Sequence, residues 1–153
     1  MPYSSVKEKE HRVSVVRGQC LCAAVKFSAT DVESMFGACH CRMCQRWAGG
    51  PFMATSTSGI TFDGEENLVR FRSSDWAERG FCGKCGTNLF YKELQSDSYE
   101  MCVGTFDDTD SFGLNEEIFI DRKPAAYAFS GDHPRLTEAE TMTRHGSVNS
   151  HLT

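Results

Sequence analysis

The sequence of 153 residues predicts a single, mainly β domain with little helix. Apolar and polar side chains alternate in short runs, as at residues 25–28 and 69–72, and a period of two is typical of half-buried strands. Turn-forming residues separate these runs, whereas segments with a helical period are scarce. A chain of this length buries about 68–70% of its unfolded surface, which is enough for one core.

The predicted elements follow one another in a regular order. Strands are expected at residues 11–16, 25–28, 51–56, 69–72, 87–92, 98–106 and 117–121. Turns are expected at Arg17-Gly18, Ser58-Gly59, Asp63-Gly64, Gly83 with Gly86, and residues 107–110. Short helical turns are expected at 43–48 and 115–117. Residues 1–11 are expected to form an N-terminal extension and residues 136–153 a tail, with one helical turn at 136–143.

Charge and hydropathy exclude several function classes. The chain carries 16 basic and 21 acidic residues, a net charge of −5, which argues against nucleic-acid binding. Its longest apolar runs are too short to cross a bilayer, and residues 1–10 lack the apolar segment of a secretion signal. The sequence therefore predicts a cytoplasmic protein with no membrane and no nucleic-acid partner.

Cysteines carry the clearest functional signal. The chain has eight, and seven of them fall into three tight groups: Cys20 with Cys22, Cys39 with Cys41 and Cys44, and Cys82 with Cys85. In a reducing compartment, grouped cysteines bind metal or do chemistry more often than they form disulfides. The Cys-x-Cys spacing is also a poor geometry for a local disulfide. Metal binding is therefore the favoured interpretation.

Two of the groups predict a structural zinc site. Cys82-Gly83-Lys84-Cys85 is typical of a zinc knuckle, in which a tight turn directs backbone N–H groups at the sulfurs. Cys20 and Cys22 are the natural partner pair. Four thiolates would close a tetrahedral site, which is the pattern of a structural zinc. A use of these cysteines without metal is the alternative.

The middle group, Cys39, Cys41 and Cys44, has no fourth cysteine nearby. Three protein ligands and an open position are typical of a catalytic zinc, and a thiolate-rich zinc suits an incoming thiol held as a nucleophile. His40 lies between two ligands and is expected to point away. A structural or redox role stays open, because Cys-x-x-Cys is also a redox motif.

The remaining cysteine and histidines receive simpler interpretations. Cys102 lies in a predicted strand, where a small buried hydrophobe is favoured over a nucleophile. The other histidines lie in polar or terminal segments and are expected at the surface: His11, His133, His145 and His151.

Three motifs resemble one known family. They are Arg17-Gly18-Gln19-Cys20-Leu21-Cys22, Cys39-His40-Cys41-Arg42-Met43-Cys44-Gln45-Arg46 and Phe81-Cys82-Gly83-Lys84-Cys85-Gly86-Thr87-Asn88-Leu89. Their order and spacing are similar to those of the glutathione-dependent formaldehyde-activating enzyme and centromere-protein-V family. The resemblance spans residues 12–135 and implies a zinc-binding domain with a β-tent fold, antiparallel sheets around a four-cysteine zinc site. It implies structural Zn²⁺ on Cys20, Cys22, Cys82 and Cys85, and a labile or catalytic Zn²⁺ on Cys39, Cys41 and Cys44.

The resemblance also implies an activity. A family member of the S-(hydroxymethyl)glutathione synthase type is a carbon–sulfur lyase that joins glutathione and formaldehyde, and here Cys39, Cys41 and Cys44 would be catalytic. Arg46 and Trp47 follow the cysteines directly and are candidate contacts for the thiol substrate; a solvated cation and a core aromatic are the alternatives. The chain departs from the family pattern at Ala126, where a tryptophan is frequent, and at Glu117, where a histidine is frequent.

Two other classes of function remain open. The first is a zinc scaffold that binds a small thiol or a protein without chemistry, which would not need the middle cysteines. The second is a redox enzyme that uses Cys102. Exposed strand edges would also allow a homodimer.

Overall fold

A computed structural model describes residues 14–145 of the chain. The strands of this part are β1 (Val16–Gln19), β2 (Lys26–Val32), β3 (Met35–Cys39), β4 (Phe52–Asp63), β5 (Leu68–Arg72), β6 (Ala77–Cys82), β7 (Asn88–Glu93), β8 (Tyr99–Cys102) and β9 (Gly113–Ile118). The helices are α1 (Arg42–Ala48) and α2 (Glu138–His145). The mainly β fold and the helical turn at 43–48 are confirmed. Among the described residues, no helix has the length and apolar content needed to cross a membrane.

The strands form one sheet that branches at its longest strand. The main path runs β1-β2-β4-β8-β7-β6-β5, and its neighbours are antiparallel. The second half of β4 pairs with β2, while its first half pairs with β3 on the same side. Strand β9 then adds to β3 in parallel. Two separate groups of core residues accompany this branching.

Each group of core residues surrounds one set of cysteines. The larger core packs Phe27, Leu89, Phe90 and Met101 near the loop that holds Cys20. The smaller core contains Phe52, Ala54 and Phe119 with Cys41 and Cys44.

Two predicted turns are wrong, because glycine serves close packing there. Gly18 lies inside β1, where a Cβ atom would come within 2.3 Å of the Phe27 ring. Gly59 lies inside β4, where a Cβ atom would meet Thr30 Oγ1 at 2.0 Å. The helical turn expected at 115–117 is also wrong, since these residues belong to β9. Strands β3 and β6 were not anticipated by the sequence patterns.

Residues 136–145 pack onto the rest of the described chain. The N–H of Leu136 donates to the carbonyl of Glu117 at 2.9 Å, and its carbonyl accepts from Ile120 N–H at 2.8 Å. In α2, Thr141 is fully buried, and its Oγ1 accepts a hydrogen bond from Phe119 N–H. The helical turn expected at 136–143 thus corresponds to α2, whereas residues 146–153 and the extension at 1–11 lie outside the described residues.

Candidate functional site

Four cysteine sulfurs meet between two loops of the sheet. Cys20 and Cys22 lie between β1 and β2, and Cys82 and Cys85 lie at the turn from β6 to β7. Their Sγ atoms all lie within 4.8 Å of one another. The Cys20–Cys22 and Cys22–Cys82 sulfurs are 3.7 and 3.8 Å apart. Sulfurs around one tetrahedral zinc at about 2.3 Å lie about 3.8 Å apart, so this four-sulfur set fits such an ion.

The turn after β6 favours the thiolate form that a metal requires. The N–H of Cys85, and after it that of Lys84, hold the pKa of Cys82 below its ordinary value. A hydrogen bond with Thr87 lowers the pKa of Cys85 to about 5. Gly86 adopts φ of +79°, a left-handed conformation that closes the turn at little steric cost. The hydrogen bonds of this turn therefore stabilise the thiolate form of both cysteines without a bound ion.

Three further sulfurs meet where β3 ends and α1 begins. The Sγ atoms of Cys39, Cys41 and Cys44 lie within 4.8 Å of one another, and no fourth His, Cys or carboxylate donor of the described residues joins them. Cys41 caps α1, and its sulfur accepts a hydrogen bond from Cys44 N–H at 3.4 Å. Hydrogen bonds from the thiols of Cys39 and Cys44 lower the pKa of Cys41 to about 3. This three-sulfur set is one ligand short of a tetrahedral site.

A buried guanidinium lies beside the three-sulfur set. Arg79 on β6 is 2% exposed, and its Nη2 lies 3.7 Å from Cys44 Sγ. The rings of Trp47 and Tyr91 each lie 5.0 Å from the guanidinium carbon, which is cation–π geometry. Its Nη1 is buried and has no hydrogen-bond partner among the described residues. Because a buried unpaired donor costs about 1–3 kcal/mol, Nη1 favours a ligand that brings an acceptor.

His40 points away from the sulfurs into a buried ionic network. Its Nε2 lies 2.7 Å from Glu117 Oε1, and both residues are 0% exposed. Glu117 Oε2 lies 2.6 Å from His133 Nε2 and 3.0 Å from Arg135 Nε. Burial raises the pKa of Glu117, but hydrogen bonds with His133 and His40 outweigh burial and leave it below its usual range.

This network anchors the cysteine loop to the segment before α2. The prediction that His133 lies at the surface is wrong, since its side chain is 7% exposed and binds Glu117. Glu117 therefore links His40, which lies between Cys39 and Cys41, to His133 and Arg135.

A cavity of about 420 Å³ opens beside the three-sulfur set. All three sulfur residues line it, together with Arg79 and the alternate β4 residues Phe52, Ala54 and Ser56. Four glutamates also line it: Glu33, Glu93, Glu100 and Glu116. None of the four-sulfur residues does. A cavity of this size suits a small molecule.

The candidate substrate contacts lie elsewhere. Arg46 is exposed on α1, and Trp47 packs edge-on against Phe52 with ring centroids 5.6 Å apart. Neither lines the cavity, so their contact with a thiol stays a prediction.

Burial raises the pKa of Cys102 to about 12, which does not suit a nucleophile. Ala126 is exposed.

Sequence reasoning missed Arg79 and the carboxylates of the cavity. Arg79 lies three residues before Cys82, on the strand that leads into the zinc-knuckle turn, and that position was the available signal. Glu100 lies two residues before Cys102 in a predicted strand, but no role was expected for it. No sequence signal separated the carboxylates of the cavity from solvated ones.

Three comparisons with known proteins bear on the family and the fold of the chain. The model of the glutathione-dependent formaldehyde-activating enzyme family matches residues 15–122. An uncharacterized lyase of Schizosaccharomyces pombe is 33% identical over 127 residues, which cover 82% of this chain and 93% of the relative. A crystal structure of a Rhodobacter sphaeroides protein shares the fold with a TM-score of 0.51 at 19% identity, over 78% of this chain and 98% of that one. The chain therefore belongs to the glutathione-dependent formaldehyde-activating enzyme family.

Proposed function

We propose that the chain is a zinc-dependent carbon–sulfur lyase, or synthase in the opposite direction, acting on the adduct of formaldehyde with glutathione or another small thiol. The observation that carries the proposal is the three-sulfur set, one ligand short of a tetrahedron, in the wall of a cavity. The family description names glutathione and formaldehyde, and the yeast relative is named a lyase; both support this reaction class.

The two sets of cysteines have different roles in this proposal. Cys20, Cys22, Cys82 and Cys85 hold a structural zinc, and Cys39, Cys41 and Cys44 hold a second one. The second zinc, when bound, supplies a Lewis acid that favours the thiolate form of a sulfur ligand at neutral pH. The missing fourth cysteine leaves room for that ligand to reach the site from the cavity.

The reaction conserves atoms and needs no redox partner. In the synthesis direction, the substrate sulfur attacks the carbonyl carbon, a carbon–sulfur bond forms, and the carbonyl π electrons move to oxygen. That oxygen takes up the proton that the thiol released. Arg79 is placed beside Cys44 with Nη1 unpaired, so it can donate a hydrogen bond to the oxygen as negative charge develops. The lyase direction reverses each step.

A reducing compartment suits this chemistry. All eight cysteines are free of disulfides, and both sets present thiols to a metal. We therefore place the activity in the cytoplasm, where thiols stay reduced.

The test is the rate of adduct formation at fixed thiol and formaldehyde concentrations. We expect the zinc-loaded protein to accelerate it above the uncatalysed rate, measured by exchange NMR. Cys41→Ser should abolish the acceleration while the circular dichroism spectrum is retained, and Cys102→Ser, outside both sulfur sets, is the matched control. Equal rates with and without protein, for glutathione and for other small thiols, would instead favour a zinc scaffold that binds without chemistry.

A further inference from the structure

The cavity has two chemically different regions, one lined by sulfur and one lined by carboxylates. Cys39 pairs with Phe52 at the start of β4, whereas Ser56, four residues further along β4, pairs with Glu100 on β8. Four residues of a strand span about 13 Å. The sulfurs therefore line one part of the cavity, with the guanidinium of Arg79 beside Cys44. The Glu100 carboxylate lines another part, beside Ser56.

Three of these carboxylates have no cationic partner among the described residues. Within residues 14–145, no salt bridge joins a Lys, Arg or His to Glu33, Glu93 or Glu100. Glu116 differs, because it forms an ion pair with Arg144. The region therefore presents negative charge that the described side chains do not neutralise.

Glu100 lies at the centre of this charge. Both of its carboxylate oxygens accept hydrogen bonds from Ser56 Oγ, at 2.7 and 2.8 Å. Burial, with the charges of Glu33 and Glu93 nearby, raises its pKa above the usual range despite the hydrogen bond from Ser56. A cation in the cavity would relieve this unfavourable arrangement.

We propose that the cavity selects a thiol, or its formaldehyde adduct, that carries a protonated amine remote from sulfur and no carboxylate near that amine. The inference rests on the proposed function and names its substrate class. The sulfur end of such a molecule meets the three-sulfur set, and the adduct oxygen meets the unpaired Nη1 of Arg79. Its ammonium group lies among Glu33, Glu93 and Glu100.

Glutathione itself is a poor match for this charge pattern. It carries two carboxylates and one ammonium. One of its negative groups must therefore approach the glutamates or compete for the guanidinium of Arg79. Its dimethyl ester has the same backbone and thiol but keeps only the ammonium charge. A comparison of the binding of these two molecules therefore separates the effect of charge from the effect of shape.

The test is isothermal titration calorimetry of zinc-loaded protein with glutathione and with glutathione dimethyl ester. We expect the ester to bind about tenfold more tightly, the size of one or two screened charge contacts. Glu93→Gln and Glu100→Gln should each reduce that preference about threefold. Glu66→Gln, an exposed carboxylate outside the cavity, is the matched control and should leave the preference unchanged.

The outcomes separate this inference from the function on which it rests. Glutathione binding as tightly as the ester would overturn the substrate class, and continued turnover of glutathione with formaldehyde would leave the lyase standing. A preference for the ester that both Gln variants retain would overturn the role of the glutamates. Binding of neither thiol would overturn both proposals. The comparison on the unsubstituted protein decides the substrate class even if a variant fails to fold.

Discussion

The two sulfur sets use the same ligand chemistry in different surroundings. The four-sulfur set is complete, its turn donates backbone hydrogen bonds to sulfur, and none of its residues lines the 420 Å³ cavity. The three-sulfur set lacks a fourth donor among the described residues, borders that cavity and has a buried guanidinium at its side. Under the proposed function, ligand type alone therefore does not separate the structural site from the reactive one. The number of donors and the access to a cavity separate them.

The largest expected difference between the two sets is in folding. Cys82→Ser removes a fully buried ligand that joins two loops of the sheet, and we expect the free energy of unfolding to fall by about 5 kcal/mol or more. Cys41→Ser should lower it much less, because its set lies within one local segment. Thermal unfolding together with zinc content per chain measures both. Equal destabilisation by the two variants would remove the distinction between the sets.

A smaller effect is expected at Arg79, which belongs only to the three-sulfur region. Arg79→Gln removes the charge and the unpaired Nη1 donor, so we expect kcat to fall about 100-fold, as for other donors to a developing oxyanion. Arg79→Lys keeps the charge and should recover part of the rate. The readout is kcat for adduct formation, with zinc content as the control. An unchanged kcat in the Gln variant would leave Arg79 a purely structural cation.

An effect of similar size is expected for the buried ion pairs of Glu117, next to the three-sulfur set. Glu117→Gln disrupts the ion pairs with His40, His133 and Arg135, and should lower the free energy of unfolding by about 3 kcal/mol at neutral pH. Because the folded pKa of Glu117 is lowered, its contribution is present above the ordinary glutamate value of about 4.3 and is lost as pH falls. Urea unfolding at several pH values should show the two proteins converging in acid. A difference that stays constant with pH would contradict this origin.

The sequence predicted the ligand sets better than the strands around them. Cysteine spacing is a direct record of ligand geometry, so both sets lie together as expected. Strand β6 escaped notice because Arg79 occupies a buried position where an apolar residue would mark the strand. Gly18 was misread because glycine marks a turn and a close contact equally well in a sequence.

The surroundings of the candidate site depend on pairings between distant residues. His40 and Glu117 are 77 residues apart in the chain, and Ser56 and Glu100 are 44 apart. The local sequence does not predict that such side chains will be in contact, because each resembles a solvated polar residue in its own segment. The charge of the cavity is thus a property of the folded sheet alone.

The position of the four-sulfur set within the strand order has a consequence for the unfolded chain. It links the loop beside β1, one end of the main path, to the turn after β6, next to the other end. Cys22 and Cys82 are 60 residues apart. Closing a loop of that length lowers the entropy of the unfolded chain, which raises its free energy by about 4 kcal/mol. An ion bound to both pairs therefore acts as a reversible cross-link. The supply of that ion, rather than oxidation of the cysteines, would then determine how long the cross-link persists.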